Sequence, residues 1–369
     1  MSLAPVTAPA ELRESIEREL GAHFADRTAA AEAYGQEFSA LWQHAARHAL
    51  GGKLVRPALM VEAYDALVAS TPRGAGRDAR PSRDTLVKLA ASIELLHFSF
   101  LLHDDVIDGD LMRRGTPNLI GALLRDRDQT HPDAPEAALH WARTGGILMG
   151  DLLLSAAHQI FARAALPPDT RLRMLDLLDH TITESVAGEQ VDVGLSDGVV
   201  MPDLGTILAM TAHKTATYSF ELPLRAAAIL SGAPPAVESA LTSAGRHLGL
   251  AFQLQDDLLS TFGDPAEHGK DPYSDLREGK QTVILAYARM TSTWPSIEPV
   301  LTTGELDIVE AGRVAQLLAD CGAEAFARNL VDEQLSALSE LLAGAGSALP
   351  PAVQQVLLTF ANRLDGRRA

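Results

Sequence analysis

Three carboxylates crowd the end of one apolar segment of the sequence. Asp104, Asp105 and Asp108 follow the apolar run 98–102, and the first and last of them are four residues apart. In a helix they would share one face. Oxygen ligands at this spacing suit Mg²⁺, which completes its shell with waters and substrate phosphates. A solvated helix end is the alternative, but carboxylates at a helix C-terminus oppose the macrodipole.

A second acidic pair strengthens the metal interpretation. Asp256 and Asp257 end another apolar segment, and Gln253 lies one turn before them. Two helices that each offer carboxylates are a natural clamp for a bridged cluster of divalent ions.

Basic residues accompany the two acidic motifs, several of them beside glycine turns. Arginine binds phosphate oxygens in bidentate fashion, and lysine binds them as a point charge. Any one of these residues alone fits an ordinary surface charge. Together with the carboxylates they predict a diphosphate site. They are Lys53, Arg56, Arg113, Arg114, Lys214, Lys270 and Lys280.

The overall charge excludes one class of partner. The 369 residues include 48 Asp and Glu against 31 Lys and Arg, a formal charge of −17. A general nucleic-acid binder needs a basic face, so no nucleic-acid partner is expected. Cys321 is the single cysteine, which excludes an intrachain disulfide and favours a reducing compartment. No signal sequence and no transmembrane run is recognised, so a cytoplasmic protein is expected.

The elements that carry these motifs are predicted to be helices. Ala and Leu are abundant, and strict apolar–polar alternation is scarce. The clearest helix spans 84–108, where apolar residues recur at steps of three and four. Further helices are predicted over 139–163, 170–189, 204–230, 236–262, 281–290, 306–319, 323–342 and 352–363.

Polar segments rich in Gly and Pro separate the predicted helices. They span 70–82, 125–135, 194–205 and 263–279, and the second of them looks like an insertion. No shift in composition divides the chain, so one domain over 1–369 is predicted, with about 20 disordered residues at its N-terminus.

Five motifs in order resemble the trans-isoprenyl diphosphate synthases, the polyprenyl synthetase family. They are GGKLVRP, LLHDDVIDGDLMRRGTPN, GEQVDV, HKT and FQLQDDLLSTFGDP with its following GK and DLREGKQT. The resemblance covers nearly the whole chain. It implies an all-α, isoprenoid synthase-type helical bundle around a central cavity, and a homodimer.

The resemblance also implies roles for individual residues. Asp104, Asp105, Asp108, Asp256 and Asp257 would hold three Mg²⁺ ions on an allylic diphosphate. That diphosphate would also contact Arg113, Lys214 and Lys270, with Thr215 and Gln253 nearby. The diphosphate of isopentenyl diphosphate would contact Lys53, Arg56, His97 and Arg114.

The implied reaction is head-to-tail condensation of isopentenyl diphosphate with dimethylallyl, geranyl or farnesyl diphosphate. Diphosphate leaves, the isopentenyl double bond attacks the allylic cation, and a proton is lost, with diphosphate commonly proposed as the base. The chain departs from the family pattern at two positions. Ser260 stands where a third Asp is frequent, and Glu189 stands where Gln is more usual. Activity is expected to survive both.

Product length is predicted from the helix before the first Asp motif. Phe100 and Leu96 lie one and two turns back from Asp104 along its face, where a bulky side chain would stop the growing tail. In the family the positions of Ser99 and Phe100 tune product length. Small Ser99 would open one wall and Phe100 would narrow another, which favours geranylgeranyl diphosphate; Phe100 as ordinary core is the alternative.

Other functions fit the sequence less well. A farnesyl or longer-chain synthase would share every motif. A terpene cyclase would lack GGKLVRP, and a non-catalytic partner subunit would usually lose one Asp cluster, whereas this chain has all of these features.

Overall fold

Helices account for nearly all of the regular structure. The computed structural model describes residues 10–71, 80–113, 115–130, 133–263, 273–302, 306–344 and 348–365. Among them the only strands are β1 (Met112–Arg113) and β2 (Thr116–Pro117), which form an antiparallel hairpin. The prediction of an all-α fold is confirmed.

The first seven helices include the longest in the chain. They are α1 (Ala10–Ala31), α2 (Gln36–Ala49), α3 (Val55–Ser70), α4 (Arg83–Ile107), α5 (Leu119–Thr130), α6 (Pro135–Arg163) and α7 (Pro168–Ser196), with a 3₁₀ turn at Glu32–Tyr34.

The remaining helices include one irregular segment. They are α8 (Leu204–Thr211), a π-helical segment (Ala212–Glu221), α9 (Leu222–Ser231), α10 (Pro235–Phe262), α11 (Ser274–Arg277), α12 (Val283–Arg289), α13 (Trp294–Leu301), α14 (Ile308–Asp320), α15 (Ala323–Ala343) and α16 (Pro351–Asp365).

The chain divides into two compact units. Among the described residues, the N-terminal unit comprises 10–62 and 80–176, and the C-terminal unit comprises 63–71 and 177–365. The boundaries therefore fall inside α3 and α7. The prediction of a single domain over 1–369 stays a prediction.

In the N-terminal unit, α4 is the central helix. Ser82 caps it, since its Oγ accepts a hydrogen bond from the Thr85 N–H at 3.2 Å. The predicted apolar stripe is buried, with Leu89, Ile93 and Leu96 fully inaccessible. This stripe packs against α6, and α1 and α5 also contact α4. The packing fixes the helix end that carries the first Asp motif.

In the C-terminal unit, α10 has the corresponding role. Ala251, Leu254 and Leu258 on α10 are buried in one apolar cluster with residues of α12, α14 and α15. Another part of α10 packs against the π-helical segment. The second Asp motif therefore lies near the end of a helix that is held along its length.

Three local predictions are wrong. Residues 125–130 continue α5 instead of belonging to a loop, and α7 extends to Ser196. The N-terminal region expected to be disordered contains α1 from Ala10 onwards. The hairpin at 112–117 was not predicted at all. Burial stabilises two of these segments, since Leu195 near the end of α7 and Leu12, Ile16 and Leu20 of α1 are buried.

Two helices, α4 and α6, are long and apolar enough by length and composition to cross a membrane. In α4, 61% of the apolar window is buried inside the folded chain, as in the core helix of a globular protein. In α6 the buried share is 39%. This test alone is weak evidence for a membrane span.

Candidate active site

The first Asp motif occupies the last turn of α4. Asp104 and Asp108 each place a carboxylate oxygen within 4.8 Å of the other. Asp104 is partly accessible and Asp108 is exposed. An all-oxygen donor set of this kind fits a hard divalent cation. The i, i+4 spacing therefore brings the two carboxylates together as expected.

Asp105 differs from its neighbours because its side chain is 3% exposed. Its Oδ1 accepts a hydrogen bond from Arg113 Nη2 at 2.6 Å, and the same nitrogen is 3.7 Å from Asp104 Oδ2. Burial raises the pKa of Asp105, while the charge of Arg113 and the amide of Asn118 lower it. The pKa of Arg113 is raised by these carboxylates, against the effect of its own burial. The contact joins α4 to the hairpin.

Asp105 is predicted to be a metal ligand, but in the structure its Oδ1 faces Arg113. Successive helical residues point about 100° apart, so Asp105 cannot share the face of Asp104 and Asp108. Its observed contact is that of a residue that orients Arg113. Arg114, the other arginine of the motif, lies outside the described residues.

The GGKLVRP segment is a tight turn before α3. Leu54 is buried and has a positive φ of 52°, and its carbonyl accepts the first hydrogen bond of the helix, from Ala58 N. Arg13 Nη2 on α1 donates to the Gly52 carbonyl at 3.0 Å. Lys53 is exposed and Arg56 is half-buried. Arg13 was not singled out from the sequence, because it lies 39 residues from the turn that it holds.

Three further predicted ligands are His97, Lys280 and Lys270. His97 is half-buried on α4, two turns before the first Asp motif. Lys280 is part-buried and pairs with Glu278 at 2.8 Å. Lys270 lies outside the described residues.

Lys214 lies on the π-helical segment of the C-terminal unit. Its Nζ is 2.8 Å from Glu189 Oε2 and 2.6 Å from Asp192 Oδ2, both on α7. Gly188 permits this approach, because a Cβ there would lie 2.4 Å from the Lys214 main-chain nitrogen. The GEQVDV and HKT motifs, distant in sequence, are thus parts of one ion-paired cluster. A π-helical segment inside an α-helix is frequently found at functional sites.

A hydrogen-bonded chain connects the π-helical segment to the second Asp motif. Thr215 Oγ1 donates to Gln253 Oε1 at 3.1 Å, and Gln253 Nε2 donates to Asp257 Oδ1 at 2.9 Å. Asp257 is 7% exposed, whereas Asp256 is half-buried. Asp257 resembles Asp105 in this respect, since its carboxylate is bound by a neighbouring side chain.

Ser260 occupies the position where a third Asp is frequent in the family that the sequence resembles, and here it makes hydrogen bonds to the segment before and within α11. Its Oγ is 3.0 Å from Ser274 Oγ and accepts a hydrogen bond from the Asp275 N–H at 3.2 Å. Its carbonyl accepts from the Tyr273 N–H at 3.1 Å. Ser260 therefore anchors the start of α11 to α10.

Glu184 on α7 is a further residue of this cluster that is not predicted from the sequence. Its carboxylate accepts a hydrogen bond from Thr217 Oγ1 at 3.1 Å, and lies 3.4 Å from His213 Nδ1 and 3.6 Å from His180 Nε2. These contacts fix the turn of the π-helical segment that carries Lys214. The i, i+4 spacing of His180 and Glu184 was the one available signal.

The residues predicted to set product length lie at different depths on α4. Leu96 and Ser99 are fully buried, and Phe100 is half-buried. Ser99 Oγ donates to the Gly150 carbonyl on α6 at 2.8 Å, so this hydroxyl faces α6. Their effect on product length stays a prediction.

Comparison with known families and sequences gives a consistent result. The polyprenyl synthetase family model matches residues 39–302. The geranylgeranyl diphosphate synthase of Methanosarcina mazei is 30% identical over 282 residues, which cover 76% of this chain and 76% of that protein. The (2E,6E)-farnesyl diphosphate synthase of Mycobacterium bovis is 32% identical over 279 residues, covering 73% of this chain and 67% of that protein.

Solved structures with the same fold include a geranylgeranyl pyrophosphate synthase from Corynebacterium glutamicum, complexed with isoprenyl diphosphate and magnesium. It aligns with a TM-score of 0.86 and 26% identity, over 97% of this chain and 99% of that one. A polyprenyl synthase from Caulobacter crescentus, complexed with calcium and isoprenyl diphosphate, aligns with a TM-score of 0.71 and 26% identity, over 98% and 99% of the two chains.

Proposed function

We infer the reaction of this chain from one premise, that it belongs to the polyprenyl synthetase family. It is a short-chain trans-prenyltransferase of the geranylgeranyl or farnesyl diphosphate synthase type. Its substrates are an allylic diphosphate and isopentenyl diphosphate, and each condensation releases one diphosphate.

The metal is proposed to be Mg²⁺, with three ions per active site. One observation supports a divalent metal at this site: Asp104 and Asp108 present oxygens within 4.8 Å of each other, while Oδ1 of Asp105 between them accepts a hydrogen bond from Arg113. Asp256 is the more accessible carboxylate of the second motif and would hold metal from α10. Bound Mg²⁺ would neutralise the negative charge of the diphosphate. Asp105 and Asp257 would act by orienting Arg113 and Gln253.

Basic side chains would bind the two diphosphates. Arg113 and Lys214, with Lys270, would contact the allylic diphosphate, and Thr215 and Gln253 would flank it. Arg113 is suited to this because its guanidinium is already held at one edge by Asp105, which leaves other N–H groups for phosphate oxygens. Lys214 is ion-paired with Glu189 and Asp192. Isopentenyl diphosphate would contact Lys53, Arg56, His97 and Arg114.

These residues supply the electrostatic part of catalysis. Charge accumulates on the leaving diphosphate as the allylic C–O bond breaks, and fixed cations beside it lower the barrier. Arg113 and Lys214 are fixed before substrate arrives, because each is tied to carboxylates of its own unit. No side chain is assigned as the base, since the departing diphosphate can take the proton.

The product is proposed to be geranylgeranyl diphosphate, with farnesyl diphosphate or a longer product as the alternative. Phe100 supports a short product, because it is half-buried one turn before Asp104 and could limit the tail. The curated relatives include geranylgeranyl, farnesyl and geranylfarnesyl diphosphate synthases, so the family alone does not choose among them.

A cytoplasmic homodimer is proposed as the working form. In support, α6 exposes three large apolar side chains within eight residues. Trp141 is 48% exposed, Ile147 44% and Leu148 51%. An apolar helix face of this kind is typical of a protein–protein interface.

Product analysis tests this function. The purified full-length chain is incubated with Mg²⁺, labelled isopentenyl diphosphate and dimethylallyl, geranyl or farnesyl diphosphate in turn. We expect elongation of at least one primer to a C20 product, and loss of elongation when the metal is chelated. A chain that elongates none of the three primers would instead favour the partner-subunit alternative.

A further inference from the structure

Asn118 is buried between the hairpin and α5, with 4% of its surface exposed. Its Nδ2 donates to the Asp110 carbonyl at 2.8 Å, and its Oδ1 accepts from the Gly121 N–H at 2.8 Å. Its own N–H donates to the Leu111 carbonyl at 3.0 Å. One residue thus ties the loop that follows α4 to the first turn of α5.

The loop held by Asn118 leads directly to the predicted diphosphate ligand. The Asp110 N–H donates to the Asp105 carbonyl at 2.8 Å, which fixes the loop to the end of α4. Arg113 begins the hairpin turn two residues after Leu111 and returns to Asp105 at 2.6 Å. A closed set of contacts results. The main chain links Asp105 to Asp110, the Asn118 side chain bonds to Asp110, and the Arg113 side chain returns to Asp105.

Gly121 confirms how closely α5 approaches this loop. A Cβ at Gly121 would lie 2.1 Å from the Leu111 carbonyl oxygen, a distance that no backbone contact tolerates. The first turn of α5, which Asn118 caps, therefore lies in close contact with the loop at Leu111. Small displacements of α5 would consequently move the hairpin.

We propose that Asn118 is a positioning residue that sets the place of Arg113 relative to the carboxylates at the end of α4, and thereby the affinity for the allylic diphosphate. Asn118 would touch neither metal nor substrate. The inference rests on the proposed function, in which Arg113 binds that diphosphate.

The substitution Asn118→Ser separates capping from positioning. Ser and Asn are equally good N-caps, so the serine oxygen can still accept from the Gly121 N–H. Serine lacks the reach of the Nδ2 donor to Asp110. We expect a thermal midpoint within about 2 °C of wild type. We also expect the KM for the allylic diphosphate to rise about fivefold to tenfold, as for one lost positioning hydrogen bond.

A second readout avoids turnover. Titration calorimetry of inorganic diphosphate in saturating Mg²⁺ should show weaker binding by Asn118→Ser, by about the same factor. Ser82→Ala is the matched control, since it removes the N-cap at the opposite end of α4. We expect it to lower the thermal midpoint and leave both the KM and the diphosphate affinity unchanged.

The outcomes are distinguishable. Wild-type affinity and KM in Asn118→Ser would overturn the positioning role, while elongation by the wild type would leave the proposed function intact. A wild type that binds Mg²⁺ and diphosphate but elongates no primer would overturn the function, and calorimetry would still decide the role of Asn118. Asn118→Ala removes both side-chain contacts; if it fails to fold, the serine variant alone decides.

Discussion

The pair formed by Arg113 and Asp105 allows a test that separates stability from activity. Arg113→Ala removes a guanidinium 2.6 Å from a carboxylate that is 3% exposed. Burial already raises the pKa of Asp105, and Arg113 is the largest influence in the opposite direction. The substitution would therefore leave a buried carboxylate without its counter-charge.

The size of the effect follows from burial. Removing one partner of a fully buried ion pair costs about 3–5 kcal/mol. The side chain of Arg113 is 38% exposed, so water can replace part of its interaction, and we expect a loss of about 2–3 kcal/mol. Asp105→Asn in the same chain removes the stranded charge. We expect the double variant to regain about 1–2 kcal/mol of this loss.

Urea denaturation of the wild type, both single variants and the double variant measures this coupling. A carboxyl group whose pKa is raised in the folded state binds more protons folded than unfolded, so its stability contribution falls as pH rises. The loss in free energy of unfolding caused by Arg113→Ala should therefore be smaller at about pH 5 than at about pH 8. The double variant should regain stability but no activity, because Arg113 itself is the proposed ligand. Additive losses, with coupling under about 0.5 kcal/mol, would refute the reasoning.

Three further predictions concern other residues. Phe100→Ala should lengthen the prenyl product. If chromatography of the labelled products shows an unchanged product length, Phe100 is not the side chain that stops the growing tail. Lys214 pairs with two carboxylates, and Glu189→Gln would leave only that of Asp192. Less of the lysine charge would then be neutralised, so the KM for the allylic diphosphate should fall about twofold to fivefold, and a rise in KM would contradict the ion-pair account. Burial, followed by the charge of Arg47, lowers the pKa of His44, so the stability that this residue contributes should be full above about pH 6.5 and be lost as pH falls below it. Because burial also lowers the pKa of His23 and His48, His44→Gln should reduce the decline in urea midpoints without removing it, and an unchanged decline would assign it elsewhere.

Long helices such as α4 could be predicted because burial of one face decides them, whereas α1 (Ala10–Ala31) was not predicted. The stripe on α4 placed its ends within one residue of the observed Arg83–Ile107. The polar sequence 125–130 predicts a loop, yet it completes a helix that starts at buried Leu119 and is capped by Asn118. Periodicity gives little signal over residues 125–127, because Arg125, Asp126 and Arg127 are all polar and exposed.

The residue types of the site could be predicted from the sequence, but the hydrogen-bond partners of each carboxylate could not. Spacing alone places Asp104 and Asp108 on one face, and the structure bears this out. The different environments of Asp105 and Asp257 depend on the hairpin that returns Arg113 to Asp105 and on the hydrogen bond from Gln253 to Asp257, and the spacing of the carboxylates alone does not reveal them. The ion pairs of Lys214 depend in the same way on the close packing of α7 against the π-helical segment.

The central claim is that carboxylates at the end of α4 support metal-dependent condensation. It is tested most directly by measuring diphosphate release per isopentenyl unit added, in the wild type, in Asp104→Asn and in Asp84→Asn. Asp84 lies exposed in the first turn of the same helix and is the matched control. We predict one diphosphate per unit, a fall of about 10²–10³-fold in kcat for Asp104→Asn, and activity within about twofold of wild type for Asp84→Asn. Equal activity of the three proteins, or wild-type turnover that is unaffected by chelating the metal, would contradict the claim.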